Sequence, residues 1–241
     1  MRGLSKSALL LKLLRRSALR FLSQIDPNND FIFLMRKVFM ANRFDGLSPV
    51  SMNGENLTRS LTQVTMSKCV LEFGAGSSTL LFAQSAKKVF SVESDKQFAS
   101  HVEEELRMRG LSSKTQILYA NIGITKSYGQ PVKFLGLFYN HRYRQYTNIF
   151  FDNPSFAFNP EIVFIDGRFR VWCALQSCAR IQNDFLLIFD DYFNRSEYHV
   201  IESLIGPARR FSGDTAIFDV KKGHVKSGDL ADLKRYQNDF R

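Results

Sequence analysis

The feature that most constrains the fold is the stretch Val-Leu-Glu-Phe-Gly-Ala-Gly-Ser-Ser-Thr at positions 70–79. Residues 69–73 are apolar except for Glu72, which is typical of a buried strand. Gly74 and Gly76 carry no Cβ, so the backbone can turn tightly there and approach a ligand closely. The three hydroxyl residues that follow are predicted to cap a helix over residues 80–86 by accepting its free N–H groups. A strand, a glycine loop and a helix in this order predict the first crossover of a doubly wound α/β sheet.

A second predicted strand, residues 88–92, ends next to Glu93, at the distance from the glycine loop where such folds place a ribose-binding carboxylate. A dinucleotide site requires a third small residue in the loop, and this chain has Thr79 there. It also has Glu72 just before the turn, where a carboxylate would repel a pyrophosphate. A ligand with an ammonium group and a sulfonium suits Glu72 better, so a nicotinamide-dependent oxidoreductase is a disfavoured alternative.

The run from Glu72 to Thr79, followed by Val-Glu-Ser-Asp at positions 92–95, resembles the cofactor signature of class I S-adenosylmethionine-dependent methyltransferases. The resemblance implies an α/β fold with a doubly wound, Rossmann-like, mostly parallel seven-stranded sheet and helices on both faces. It also implies S-adenosyl-L-methionine as the cofactor. A glycine turn inside an α/β core that binds no ligand is the alternative interpretation of the same residues.

The same resemblance assigns roles within the cofactor site. Glu72, Gly74 and Gly76, with Ser77 beside them, would hold the methionine half. Glu93 would take the ribose hydroxyls. Asn121 follows a third predicted strand, residues 116–120, at the position that often contacts the adenine in this family.

Aspartates follow two further apolar strands, at the edge where open sheets carry out chemistry. Asp166 follows residues 161–165, and Asp190 and Asp191 follow residues 185–189. The arrangement resembles cation-dependent O-methyltransferases, which place aspartates here around magnesium. Those enzymes usually have asparagine after the second aspartate, whereas this chain has Asp191 and Tyr192. We therefore expect no metal, and expect an arginine to neutralise the aspartates, so that methyl transfer survives chelation by EDTA.

The residues around these aspartates are the candidates for catalysis and acceptor binding. Asp166 would face the reactive end of the cofactor. Arg168 and Arg170 are available for an anionic acceptor, or alternatively for pairing with Asp190 or Asp191. The candidates for substrate binding are Arg168, Arg170, Asp191 and Tyr192.

His199 is a second catalytic candidate, because a histidine has a pKa suited to removing a proton from a hydroxyl acceptor. The alternative is that it forms a hydrogen bond at the start of a helix, which Ser196 is predicted to cap. Residues 208–211 and 215–220 are predicted to form a closing antiparallel pair at the sheet edge. The pattern around residues 165–170, 191–192 and 195–198 resembles bacterial methyltransferase-like proteins of unassigned substrate, over residues 67–241.

The segment 124–159 is a long connection with interleaved basic and aromatic residues. Connections of this length are usually functional or mobile. The aromatic and basic side chains could stack on and pair with a nucleotide, a sugar or a phosphate. An irregular surface excursion with an extra helix is an equally good interpretation.

The domain prediction has three parts: a basic amphipathic helix at residues 1–25, a helical lead-in at 26–66, and the methyltransferase-like domain at 67–241. Residues 1–25 hold six basic residues and no acidic one, with the basic stripe opposite an apolar face. This pattern is typical of docking on the same protein or on a second subunit. Attachment to an anionic membrane surface and an organellar transit peptide are the alternatives.

The formal net charge of +10 favours anionic partners, and the three cysteines are predicted to be buried free thiols in a reducing compartment. We expect a hydroxyl acceptor on a small molecule or carbohydrate. The absence of a recognisable RNA-binding module disfavours nucleic acid. The expected location is cytoplasmic, with peripheral membrane attachment and a homodimer left open. A membrane-associated or scaffold protein that keeps the fold without turnover is the rival from another class.

Overall fold

Seven strands form one sheet in the order β3-β2-β1-β4-β5-β7-β6 in this computed structural model, which describes residues 55–126, 129–132, 141–154 and 159–240. The strands are β1 Cys69–Phe73, β2 Lys88–Glu93, β3 Thr115–Tyr119, β4 Ile162–Ile165, β5 Phe185–Phe189, β6 Arg209–Ser212 and β7 Thr215–Val220. Strands β1 to β5 are parallel, and β7 pairs antiparallel with both β5 and β6. The predicted mostly parallel α/β sheet is therefore present, and its antiparallel pair lies at one edge.

The helices are α1 Glu55–Thr65, α2 Ser77–Ser85, α3 Lys96–Met108, α4 Gln145–Phe151, α5 Arg170–Arg180 and the short α6 Glu202–Ile205. Segments of 3₁₀-helix span Ser112–Lys114, Ser196–Ile201 and Ser227–Asn238. All of these elements belong to one compact unit. The predicted amphipathic helix of residues 1–25, and residues 26–54 of the lead-in, lie outside the described residues.

Alternate residues of each central strand pack into two different cores. Leu71 of β1 and Val163 of β4 belong to the core that includes side chains of α4 and α5. Val70 and Ile162, their neighbours along the strands, pack instead with residues of α1 and α2. Strands buried on both faces are expected in a parallel sheet that has helices on each side.

Two predicted helix starts are wrong. Helix α2 begins at Ser77 instead of residue 80, so the three hydroxyl residues form its first turn and the N-cap position is Gly76, which has no side chain. Of the three, Thr79 accepts the N–H of Gly76, while the hydroxyls of Ser78 and Thr79 donate to Glu72. The helix expected after Ser196 begins as a 3₁₀ segment, and Ser196 does not cap it. By contrast, the Asp95 side chain caps α3 as predicted, accepting from the backbone N–H groups of Gln97 and Phe98 at 2.9 and 3.1 Å.

The three cysteines are free, as predicted, and Cys173 and Cys178 are buried. Cys69 is only half-buried. Among the described residues, no helix combines the length and the apolar character needed to cross a membrane.

Candidate cofactor and acceptor site

The glycine loop after β1 is packed directly against the loop after β4. Gly74 has φ +107°, and a Cβ there would lie 2.6 Å from both the backbone N and the Cα of Gly167. The Gly74 N–H also donates to the carbonyl oxygen of Val92 at 2.9 Å, which ties the loop to β2. Only glycine combines this backbone conformation with such a close approach. The contact therefore fixes the loops of β1 and β4 against each other at the carboxyl edge of the sheet.

Gly76 has a different environment. Apart from its chain neighbours, no atom of the described residues lies within 4 Å of the position that a Cβ would take, so the loop borders open space at Gly76 within this part of the chain. The Gly76 N–H donates to Thr79 Oγ1 at 2.9 Å, and Ser77 follows as the first residue of α2. The first turn of α2 contains no acidic residue. A ligand group could therefore approach the backbone here without meeting a side chain.

Glu72 lies fully inside the protein. Its two carboxylate oxygens accept hydrogen bonds from the hydroxyls of Ser78 and Thr79, the latter at 2.6 Å. Burial raises the pKa of Glu72 to about 7, although these hydrogen bonds oppose the shift. In this arrangement Glu72 supports the start of α2 and, through Thr79, the N–H of Gly76.

Glu93 ends β2, next to the glycine loop. Its Oε1 accepts from the backbone N–H groups of Ser94 and Asp95 at 2.5 and 2.7 Å, and from the Ser94 hydroxyl at 3.2 Å. Every hydrogen bond described for this side chain goes to Oε1, which leaves Oε2 available to a ligand. Burial raises the pKa of Glu93 to about 7. The Ser94 hydroxyl also contacts the carbonyl oxygen of Gly129 at 3.1 Å, so a turn of the long connection packs beside this carboxylate.

Asn121 lies beyond the end of β3, which pairs with β2. Its side chain is exposed, and its Oδ1 accepts the N–H of Gly123 at 3.2 Å. The strand order therefore brings the loop residues, Glu93 and Asn121 to the ends of three adjacent strands, β1, β2 and β3.

The buried guanidinium of Arg170 joins the loops after β4 and β5. Its Nη2 lies 2.9 Å from Asp166 Oδ1, and its Nη1 lies 3.4 Å from Asp191 Oδ2. The same group donates to the carbonyl oxygens of Asp166, Gly167 and Asp190 at 3.1, 3.0 and 2.6 Å. Because the residue is only 3% exposed and its donors are used within the protein, Arg170 takes the pairing role and not that of an acceptor-binding group.

Each of the three aspartates has a partner in the structure, and Asp166 and Asp191 share Arg170. Asp190 accepts from the Thr215 hydroxyl at 2.5 Å, and Asp191 pairs with the half-exposed Arg195 at 2.9 Å as well as with Arg170. Burial raises the pKa of Asp166 to about 6, with Arg170 opposing the shift and the two neighbouring aspartates adding to it. The expected arginine partner is thus present. In the described part of the chain, no three acidic, histidine or cysteine side chains are grouped as metal ligands would be.

Arg168 lies on the same loop as Arg170 but is half-buried and has a different environment. Its Nε is buried and has no hydrogen-bond partner in the described part of the chain. Burial and the neighbouring Arg170 lower the pKa of the Arg168 guanidinium. Of the two predicted acceptor-binding arginines, Arg168 is therefore the one whose side chain has no hydrogen-bond or ion-pair partner among the described residues.

The side chains of Tyr192 and His199 pack against each other. Tyr192 is fully buried, and its hydroxyl donates to Glu202 Oε1 at 2.9 Å, so its side chain belongs to the core and does not line a surface for an acceptor. The His199 ring stacks on Tyr192 with centroids 5.0 Å apart. The His199 Nε2 is buried and has no hydrogen-bond partner among the described residues, and no contact described for the residue joins it to Asp166. The structure therefore does not bring the two catalytic candidates together.

Tyr146 and Phe169 shape this edge and were not predicted from the sequence. Tyr146, on α4, is buried, and its hydroxyl lies 3.4 Å from the Arg168 N–H and 3.5 Å from the Val92 carbonyl oxygen. Phe169 is fully buried with φ +53°, an uncommon conformation for a bulky residue. The aromatic content of the long connection was a signal for Tyr146. No sequence signal indicates the backbone conformation of Phe169.

A solved structure of a methyltransferase-like protein from Silicibacter pomeroyi is similar to this chain over most of both molecules. The two sequences are 30% identical, the TM-score is 0.71, and the match covers 79% of this chain and 98% of the other. The chain belongs to the class I S-adenosylmethionine-dependent methyltransferase family.

A cofactor-bound protein from MTB shares this methyltransferase fold at 15% identity and a TM-score of 0.50, over 73% of this chain and 84% of the other. No protein-family model and no curated protein sequence matches the chain. Within the methyltransferase fold, the predicted cofactor residues lie at the ends of β1 to β3, and the predicted acceptor residues lie at the ends of β4 and β5.

Proposed function

We propose that this chain is an S-adenosylmethionine-dependent methyltransferase that methylates a hydroxyl group of a small-molecule or carbohydrate acceptor. The observation that carries the proposal is the pairing of two features on adjacent strand ends. Gly76 borders open space, and Glu93 keeps one carboxylate oxygen without a described hydrogen bond. Family membership supplies the cofactor class.

The residues at this edge fit S-adenosylmethionine. The methionine half would lie against the Gly74–Gly76 loop, where the first turn of α2 has no acidic residue to repel its carboxylate. The ribose hydroxyls would donate to Glu93, and the adenine would lie near Asn121. Glu72, whose oxygens are held by Ser78 and Thr79, would act by keeping the loop in place.

When bound, the cofactor supplies a methyl group on a sulfonium, which is intrinsically reactive. The protein then has to position the acceptor, exclude water and take up a proton. We assign Asp166 Oδ2 as the atom that accepts the proton of the acceptor hydroxyl, because Oδ1 already accepts a hydrogen bond from Arg170 at 2.9 Å. A carboxyl group with a pKa of about 6 titrates close to neutral pH, which suits a general base. His199 remains a second candidate, although its ring packs on Tyr192.

The test of the cofactor site is Glu93→Ala, measured by calorimetric titration with S-adenosylhomocysteine. We expect the loss of a ribose partner to cost about 1–3 kcal/mol, which is roughly a five- to 150-fold loss of affinity. Glu103→Ala is the matched control, since Glu103 is exposed on the neighbouring helix α3 and should leave affinity unchanged. Equal affinity in wild type and Glu93→Ala would remove Glu93 from the cofactor site.

A further inference from the structure

Arg168 is a half-buried cation that no carboxylate of the described residues neutralises by a direct contact. The three carboxylates of the neighbouring loops are occupied: Asp166 and Asp191 by Arg170, and Asp190 by Thr215. In the described residues, no ion pair and no side-chain hydrogen bond is formed by Arg168, and its Nε is buried. A buried donor without a partner is costly, so the arrangement favours a ligand that accepts hydrogen bonds at this point.

Arg168 lies in the loop after β4, at the carboxyl edge of the sheet, where the predicted acceptor residues are found. It follows Gly167, which contacts the glycine loop at Gly74, so its backbone lies next to the proposed cofactor site. Arg170, Tyr146 and Tyr198 are close enough to affect the pKa of the Arg168 side chain. Tyr198 in turn accepts a hydrogen bond from Arg195, which pairs with Asp191 after β5. Tyr198 and Arg195 lie toward β5, whereas Tyr146 contacts the carbonyl oxygen of Val92 in β2, so Arg168 lies between the acceptor side and the cofactor side of the edge.

We propose that Arg168 binds an oxyanion, a carboxylate or phosphate carried by the methyl acceptor, at the end of β4. A planar guanidinium can donate two parallel hydrogen bonds to such a group. The anion would hold the acceptor near Asp166, two residues earlier on the same loop, so that the reacting hydroxyl lies beside the Asp166 carboxylate. This inference rests on the proposed function and narrows its acceptor from hydroxyl compounds in general to anionic hydroxyl compounds.

The test uses inorganic phosphate and benzoate as probes. Each is titrated, at constant ionic strength, into protein saturated with S-adenosylhomocysteine, and the rise in melting temperature gives an apparent affinity. We expect both probes to bind wild type and Arg168→Gln to lose at least tenfold in affinity for them. Arg168→Lys keeps the charge but lacks the planar guanidinium, so its affinity for the probes should lie between those of wild type and Arg168→Gln. Arg210→Gln is the matched control, because Arg210 is exposed on the edge strand β6.

Three outcomes would overturn the proposal. The first is that neither probe stabilises wild type, and the second is that both bind Arg168→Gln as tightly as wild type. The third is that Arg168→Gln loses S-adenosylhomocysteine affinity by the same factor, which would assign the arginine to the cofactor's own carboxylate. The same titrations on ligand-free protein separate this question from the proposed function. If S-adenosylhomocysteine does not bind wild type, the proposed function fails while phosphate binding still tests Arg168.

Discussion

At the scale of single residues, Glu72 shows how a cofactor loop can be supported from inside the protein. The sequence predicted a carboxylate facing the methionine half of a ligand. In the structure both carboxylate oxygens of Glu72 accept hydrogen bonds from hydroxyls of α2, and the Thr79 hydroxyl also accepts the N–H of Gly76. The sequence signature indicated a functional carboxylate at Glu72. It did not indicate the hydrogen-bond partners of Glu72, because these depend on where α2 begins.

The buried position of Glu72 predicts a pH-dependent stability. Burial raises its pKa from 4.5 to about 7. A carboxyl group with a raised pKa stabilises the fold fully below the unfolded pKa, and this contribution is lost as the pH rises through the folded pKa. Glu72→Gln keeps the shape without the charge and removes this component. We therefore expect the melting temperature of Glu72→Gln, relative to wild type, to rise steadily from about pH 4.5 to about pH 7.

The comparison of Glu72→Gln with wild type controls for the other carboxyl groups that titrate in this pH range. Glu93 and Asp166 also have raised pKa values, but both are present in each protein, so their contributions largely cancel in the difference. A difference in melting temperature that stays constant across this pH range would show that Glu72 does not titrate there.

The two glycines of the loop predict opposite effects of the same substitution. In Gly74→Ala the new Cβ would lie 2.6 Å from Gly167, in a backbone conformation that alanine rarely adopts, so we expect strong destabilisation. In Gly76→Ala the Cβ meets no atom within 4 Å, so the fold should survive while affinity for S-adenosylhomocysteine falls. Chemical denaturation and calorimetry measure the two effects. Unchanged affinity in Gly76→Ala would mean that the ligand does not approach the loop there.

At the scale of elements, Arg170 is the connection between the loops after β4 and β5. It bonds three backbone carbonyl oxygens and two carboxylates, and the residues Phe169 and Asp191 on these loops both have positive φ. Such conformations persist where the surrounding contacts hold them, at a cost of about 1–3 kcal/mol each. Arg170 supplies contacts of this kind on both loops.

The matched pair Arg170→Met and Arg195→Gln tests this role. The carboxylates that pair with Arg170 are 39% and 42% exposed, so the larger loss in Arg170→Met comes from the three backbone carbonyl oxygens that lose their donor. A buried polar group left without a partner costs about 1–3 kcal/mol, so Arg170→Met should lower the free energy of unfolding by about 3 kcal/mol or more. Arg195 also pairs with Asp191 but is 40% exposed, and such pairs are worth about 0–1 kcal/mol. Urea denaturation measures both. Similar losses in the two variants would contradict the proposed role of Arg170.

The elements that the sequence predicted well are those set by local patterns. The strands β1, β2 and β5 are apolar runs bounded by polar residues, and their predicted positions agree with the structure to within a residue or two. Asp95 caps α3 because its capping contacts are local. The start of α2 was predicted too late, because the hydroxyl residues expected to precede the helix form its first turn. The 3₁₀ segment begins at Ser196 itself, and Ser196 makes no capping bond.

The candidate site was predictable in part for the same reason. The carboxyl ends of parallel strands meet at one edge, so the aspartates and Glu93 could be placed there from the strand order alone. The sequence left two roles open for Arg168 and Arg170, and burial of Arg170 distinguishes them. Tyr192 was expected at the acceptor site because it follows the aspartates, but its side chain points into the core and bonds Glu202.

At the scale of the whole molecule, the sheet order divides the carboxyl edge into two sides. Strands β1 to β3 carry the residues proposed for the cofactor, and β4 and β5 carry those proposed for the acceptor. The contact between Gly74 and Gly167 joins the two sides. Resistance to EDTA and a membrane or assembly role for residues 1–25 stay predictions.

The most direct test of this account is a crystal structure of the wild-type chain with S-adenosylhomocysteine. The account predicts a ribose hydroxyl within about 3 Å of Glu93 Oε2, the homocysteine backbone against Gly76, and the sulfur directed toward Asp166. A complex in which the ribose lies away from Glu93, or crystals that remain free of the ligand at saturating concentration, would contradict it.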